Sequence, residues 1–79
     1  MRFLKKKEVI FDYSKLKGYM KEHEITQEDL AEKSNVSLVT INQNLKHGKG
    51  FRMENIPIMA KALGINPQDI AYYFFRIKV

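Results

Sequence analysis

The stretch TQEDLAEKSNVSLVTINQNL, Thr26–Leu45, decides the fold. It reads as two short helices with a tight turn between them. Thr26 is placed to cap the first helix, and Asp29, three residues on, offers the return half of a capping box. Ser37 can cap the second helix in the same way. Between them Asn35 stands where the backbone needs φ > 0, a conformation that Asn tolerates better than most residues. Leu30, Ala31, Val36, Ile41 and Leu45 then face one another across the turn, with small Ala31 at the close approach. This is a helix-turn-helix whose second helix is offered outward.

Working outward, the same punctuation recurs. Asp12 is read as the N-cap of a helix from Tyr13 to about His23, with Leu16 and Met20 as its buried stripe. Gly18 inside that helix costs roughly 1 kcal/mol relative to Ala, and it either permits close packing or is simply tolerated. Ile25 is placed as a hydrophobic staple before Thr26. Beyond Leu45, the glycines of Lys46-His47-Gly48-Lys49-Gly50 end the second helix of the pair, and Phe51 is read as the anchor of the loop. Asn55 is the expected cap of a fourth helix, with Pro57 in its first turn, Ile56, Met59, Ala60 and Leu63 buried, and Gly64 as the stop. Asn66-Pro67-Gln68-Asp69 opens a fifth. Met20, Met53 and Met59 are read as core fillers.

The two ends differ from the middle. In residues 1–11 Phe3, Val9 and Phe11 share a parity, which reads as an extended basic arm or short strand. In Tyr72–Val79 the alternation of Phe75, Ile77 and Val79 against Arg76 and Lys78 favours a strand. The expected division is an arm or strand over 1–11, a helical domain over 12–73, and a C-terminal strand or tail over 74–79. The terminal strands would pair within one chain or between two copies, and Phe74, Phe75, Ile77 and Val79 are candidate contacts of a homodimer.

Composition narrows the function. A chain of 79 residues holds one small core, and its 44% apolar and 29% charged content suits a folded domain. The absence of cysteine excludes disulfides and thiol chemistry. His23 and His47 are too few for a metal site, so no cofactor is expected. No acid/base pair or nucleophile set converges, which argues against an enzyme. No apolar run approaches the roughly 18 residues of a membrane span, and Met1–Lys7 lacks a signal-peptide pattern, so a cytoplasmic location is expected.

The net charge of +5 favours a polyanionic partner, but it is unevenly placed. Residues 21–45 carry two lysines against five acidic residues, a net charge of −3. The excess sits in Arg2, Lys5, Lys6 and Lys7, in Lys46, Lys49 and Arg52, and in Arg76 and Lys78.

From Phe11 to Phe75 the chain resembles the Cro/repressor-like (XRE-type) helix-turn-helix family, and within it the small phage and prophage regulators. The likeness rests on Phe11-Asp12-Tyr13-Ser14-Lys15-Leu16-Lys17-Gly18, Gln27–Lys33, Val36-Ser37, Ile41, Ala62-Leu63-Gly64-Ile65, Asp69-Ile70 and Tyr73-Phe74-Phe75. It implies an all-α, five-helix, lambda-repressor-like domain, to which the terminal patterns add short β-strands. It further implies that the helix starting at Ser37 lies in the major groove of operator DNA. Gln27 would then contact phosphate and brace that helix. Leu38, Val39, Asn42 and Gln43 fall at base-facing positions, with Ser37 and Thr40 beside them. Lys46 and Lys49 would meet phosphates, as would Arg2, Lys5, Lys6 and Lys7 of the arm.

The chain departs from that pattern on the outward face. Leu38 and Val39 stand where many relatives carry polar or basic residues, and no cation occurs between Lys33 and Lys46. An apolar, uncharged helix face also suits a protein partner. The alternative is therefore an antirepressor or modulator that binds a phage repressor protein through the same face. Leu38, Val39 and Tyr19 would be its anchors, with Glu28, Asp29 and Glu32 mimicking phosphate.

Overall fold

A computed structural model describes residues 9–78. It holds five helices: α1 (Ser14–Glu22), α2 (Gln27–Ser34), α3 (Leu38–His47), α4 (Ile56–Leu63) and α5 (Ile70–Phe74). The expected all-α helix-turn-helix architecture is present. α2 packs on both α3 and α4, while α5 packs on α1 and α4. The expected roles of Arg2, Lys5, Lys6, Lys7 and Val79 fall outside the described residues.

The α2–α3 pair forms as its local chemistry dictates. The Thr26 hydroxyl accepts from the Asp29 N–H at 3.0 Å, and the Asp29 carboxylate accepts from the Thr26 N–H at 2.9 Å, completing the capping box. Asn35 ends α2 at φ 61°. Ser37 starts α3 by accepting from the Thr40 N–H at 3.1 Å. Buried Ser34 donates its hydroxyl to the Leu30 carbonyl at 2.6 Å, which satisfies a polar atom inside the α2–α3 junction.

The core runs through Leu16 and Met20 of α1, Leu30 of α2, Val36, Ile41 and Leu45 around α3, and Phe51 in the loop. Ile56, Met59, Ala60 and Leu63 of α4, then Ile65 and Phe74, complete it. Burial of each large aliphatic side chain contributes about 1.5–3 kcal/mol. Ile25 and Ala31 pack against its edge. Met53 does not join it; at 71% exposure this side chain is solvent-facing, because it lies in the turn before α4 rather than on a helix stripe. Gly18 meets nothing where a side chain would project, so it is tolerated and not packed.

Three expected caps take other forms. The Asp12 carboxylate accepts from the Ser14 N–H at 2.9 Å, a turn of its own, and α1 begins at Ser14 after Tyr13. Asn55 already has helical dihedrals, so its amide cannot reach back and caps nothing. Asn66 makes no side-chain cap either; Pro67–Asp69 is a 3-10 turn that delays α5 to Ile70.

The C-terminal strand is largely replaced. Tyr72 and Tyr73 lie in α5, and Phe74 ends it, where an i, i+4 relation to Ile70 turns both toward the core. Phe74 is 1% exposed and stands edge-on to Phe51, so it fills the interior and offers nothing to a dimer. Tertiary burial outweighs the β-propensity of the run. Among the described residues, what remains of the strand pairing is one antiparallel bridge within the chain, Phe11 to Ile77. It is flanked by bonds from the Asp12 N–H to the Arg76 carbonyl and from the Lys78 N–H to the Ile10 carbonyl, both 2.8 Å.

Candidate functional site

The outward side of α2 and α3 brings five of the expected residues together. Gln27 from α2 and Leu38, Val39, Asn42 and Gln43 from α3 line an open depression of about 370 Å³, with Glu28 as a sixth wall. The capping box fixes the start of α2 and therefore Gln27 and Glu28. The Ser37 cap fixes the start of α3 and therefore Leu38 and Val39. The two helices are tied across the depression by the Asn42 amide, which donates to the Gln27 side-chain oxygen at 3.3 Å. That bond leaves the Gln27 amide N–H groups and the Asn42 carbonyl for an outside partner.

Leu38 and Val39 are 40% and 71% exposed and adjacent, which makes an apolar patch at the N-terminal end of α3. The Thr40 hydroxyl accepts from Ser37 at 2.9 Å, so both hydroxyls are engaged beside the patch. The surrounding charge is negative. Glu28 borders the depression, and the Asp29 carboxyl is held below its usual range by hydrogen bonds from the Thr26 backbone and side chain, with Lys33 adding attraction. Tyr19 stands apart from this face. It is half-buried, donates to the Leu63 carbonyl at 2.8 Å and packs on Tyr73.

Lys46 and Lys49 lie at the opposite end of α3. There Gly48 closes the helix at φ 70°, and its carbonyl accepts from the Phe11 N–H at 2.8 Å. A Cβ at Gly48 would lie 2.5 Å from the Ile10 side chain, so only glycine allows this approach. Buried Tyr13 donates its hydroxyl to the Lys49 carbonyl at 2.7 Å, and burial pushes that phenol up to about 12. Lys46 and His47 share a second cleft with Lys17 and Lys78. Lys17 and Lys78 are additions to the sequence-derived site. No local pattern marks Lys17, which reads as an ordinary exposed position of α1.

Two helices crossed at a left-handed turn, the second capped and offered outward, define a helix-turn-helix protein. The Cro/C1-type HTH DNA-binding domain matches residues 15–75, and the chain belongs to that family. Among solved structures it is similar to the solution structure of the modulator of repression (MOR) of the temperate bacteriophage TP901-1 from Lactococcus lactis. That likeness has 34% identity and a TM-score of 0.63 over 82% of this chain and 88% of the other. No curated protein matches the sequence. Among the described residues no helix is long and apolar enough to cross a membrane, and no cluster of acidic or histidine side chains could hold a metal ion.

Proposed function

We propose that this chain is a phage-type regulator that modulates repression, with its α2–α3 face seated on the DNA-binding domain of a partner repressor. The observation that carries this reading is the exposed Leu38–Val39 pair in a depression that has no cation among the described residues and has Glu28 on its rim. DNA affinity draws heavily on cations that neutralise phosphate, and this face supplies none. An apolar centre with a polar rim is the anatomy of a protein interface. The 34% identity to a modulator of repression supports the same reading.

A second reading is favoured by the bond between Asn42 and Gln27, which holds α3 firmly for groove recognition, and by the family's DNA-binding character. In that reading Asn42 and Gln43 bond adenine, Leu38 and Val39 meet thymine methyls, and Lys46 and Lys49 meet phosphates of operator DNA. A homodimer on half-sites one helical turn apart would use Phe75, Ile77 and Val79.

Calorimetry with the DNA-binding domain of a candidate partner repressor separates the two. The expected result is a stable heterodimer that Leu38→Asp weakens by about 2 kcal/mol or more, as for a central anchor. Absence of that heterodimer, together with a gel shift preferring the neighbouring intergenic duplex over random DNA, transfers the function to operator binding. In that case Gln43→Ala relaxes base preference by about 1–3 kcal/mol.

A further inference from the structure

The cleft at the C-terminal end of α3 is chemically unlike the depression at its N-terminal end. It has a volume of about 510 Å³ and is walled by Lys17 of α1, Lys46 and His47 of α3, and Lys78 of the C-terminal segment. These side chains come from three segments distant in sequence. The bonds of Phe11 to Gly48 and of Lys78 to Ile10 bring their segments together. The three lysines are exposed, as is His47 beside them. Among the described residues the one ion pair is Arg52 with Glu54, and no described carboxylate lies within 4.0 Å of these lysines. One carboxylate, Asp12, lines the cleft, and it is already bonded to the Ser14 N–H. Among the described residues, three lysines therefore face one carboxylate. In sequence the four cations of residues 2–7 precede Ile10, itself a wall of the cleft.

We propose that this cleft binds the phosphate backbone of duplex DNA without reading its sequence. Leu38 and His47 lie about 14 Å apart along α3 at 1.5 Å per residue, so a partner on the first leaves the second open. The molecule then holds a protein at one end of α3 and touches DNA at the other. Such a modulator keeps its partner near DNA instead of carrying it away. The cleft does not depend on which partner covers the α2–α3 face, and Lys78 lies beyond residues 15–75 matched by the family.

The test is fluorescence anisotropy of the full chain on a labelled random-sequence duplex, with salt varied between roughly 50 and 200 mM. Wild-type chain is expected to bind at low salt. The double variant K17Q/K78Q is expected to lower the slope of log affinity against log salt by about 2, one for each phosphate left without its lysine. K61Q, an exposed lysine on α4 away from the cleft, is expected to leave the slope unchanged. Circular dichroism checks that both variants remain folded. The proposal is overturned if wild-type chain does not bind, if K17Q/K78Q keeps the full slope, or if K61Q lowers it equally. Repressor-domain binding, read separately by calorimetry, is expected to survive K17Q/K78Q. Joint loss would mean that the two ends form one surface, and the proposal would fall.

Discussion

The two ends of α3 are built by different means. At the N-terminal end the caps are short-range: Ser37 bonds Thr40 three residues away, the capping box at Thr26 sets the start of the neighbouring helix, and a single longer bond from Asn42 to Gln27 ties the two. The surface it displays is apolar and without cations. At the C-terminal end the fixing contacts come from far along the chain, with Phe11 on Gly48, Tyr13 on Lys49 and Phe74 behind Phe51. The surface there is basic. One helix thus carries two surfaces whose integrity depends on different parts of the sequence, and damage to one end need not reach the other.

Substitutions can break that contrast, beginning with the aromatic support of the C-terminal end. Phe74→Ala is expected to cost about 3–5 kcal/mol in urea unfolding, because its ring is fully buried. Gly48→Ala follows at about 2 kcal/mol, since it adds a side chain at positive φ. The new Cβ would lie 2.8 Å from the Phe11 carbonyl oxygen, a backbone atom that cannot turn aside. Asn35→Ala, at the left-handed turn between α2 and α3, replaces a residue that already carries a Cβ and should cost less in the same assay.

Tyr13→Phe is expected to cost about 1 kcal/mol through loss of one hydrogen bond. Because burial raises the Tyr13 phenol from 10.0 to about 12, its contribution is complete below the ordinary value and is lost as pH rises through about 12. Alkaline unfolding followed with tyrosinate absorbance checks this, and the late-titrating phenol should vanish in the Phe variant. At the local end, Thr26→Ala should cost about 1 kcal/mol, whereas Asn55→Ala, which removes no cap bond, should stay within about 0.5 kcal/mol. Thermal unfolding of the pair would sharpen the distinction between a cap that acts and one that only resembles it.

The smallest expected effect is on pH. Asp29 has a folded-state pKa below its ordinary value of 3.8, so its support for α2 is present above that value and fades as pH falls through the lowered one. Asp29→Asn should flatten the acid limb of a stability profile.

These contrasts also explain what could be read from residue order. Thr26, Asp29, Asn35 and Ser37 act within three or four positions of themselves, so their roles are visible in the sequence. Gln27, Leu38, Val39, Asn42 and Gln43 follow, because helical spacing places them on one side. Asp12 and Asn55 have the right chemistry for caps, but backbone dihedrals set by neighbouring packing decide against them. Tyr72–Phe74 have strand propensity, yet the need to bury Phe74 with Ile70 makes them helical. The convergence of Lys17 with Lys46 and Lys78 depends on packing between segments far apart in the chain, and no spacing in the sequence announces it.

The bridge between Phe11 and Ile77 has a kinetic consequence. It closes nearly the whole described chain into one loop, whereas the α2–α3 turn joins neighbours in sequence. Long closures follow local ones in folding, and the contacts they make open first under native conditions. Among the described residues the bridge is a single pairing with exposed Ile77 on one side, so it is expected to open more readily than the helical core. Each such opening is expected to release the hold of Phe11 on Gly48 and to leave Leu38 and Val39 in place. Amide exchange should therefore report two lifetimes along one helix, a persistent apolar end and a basic end that is repeatedly unmade and rebuilt.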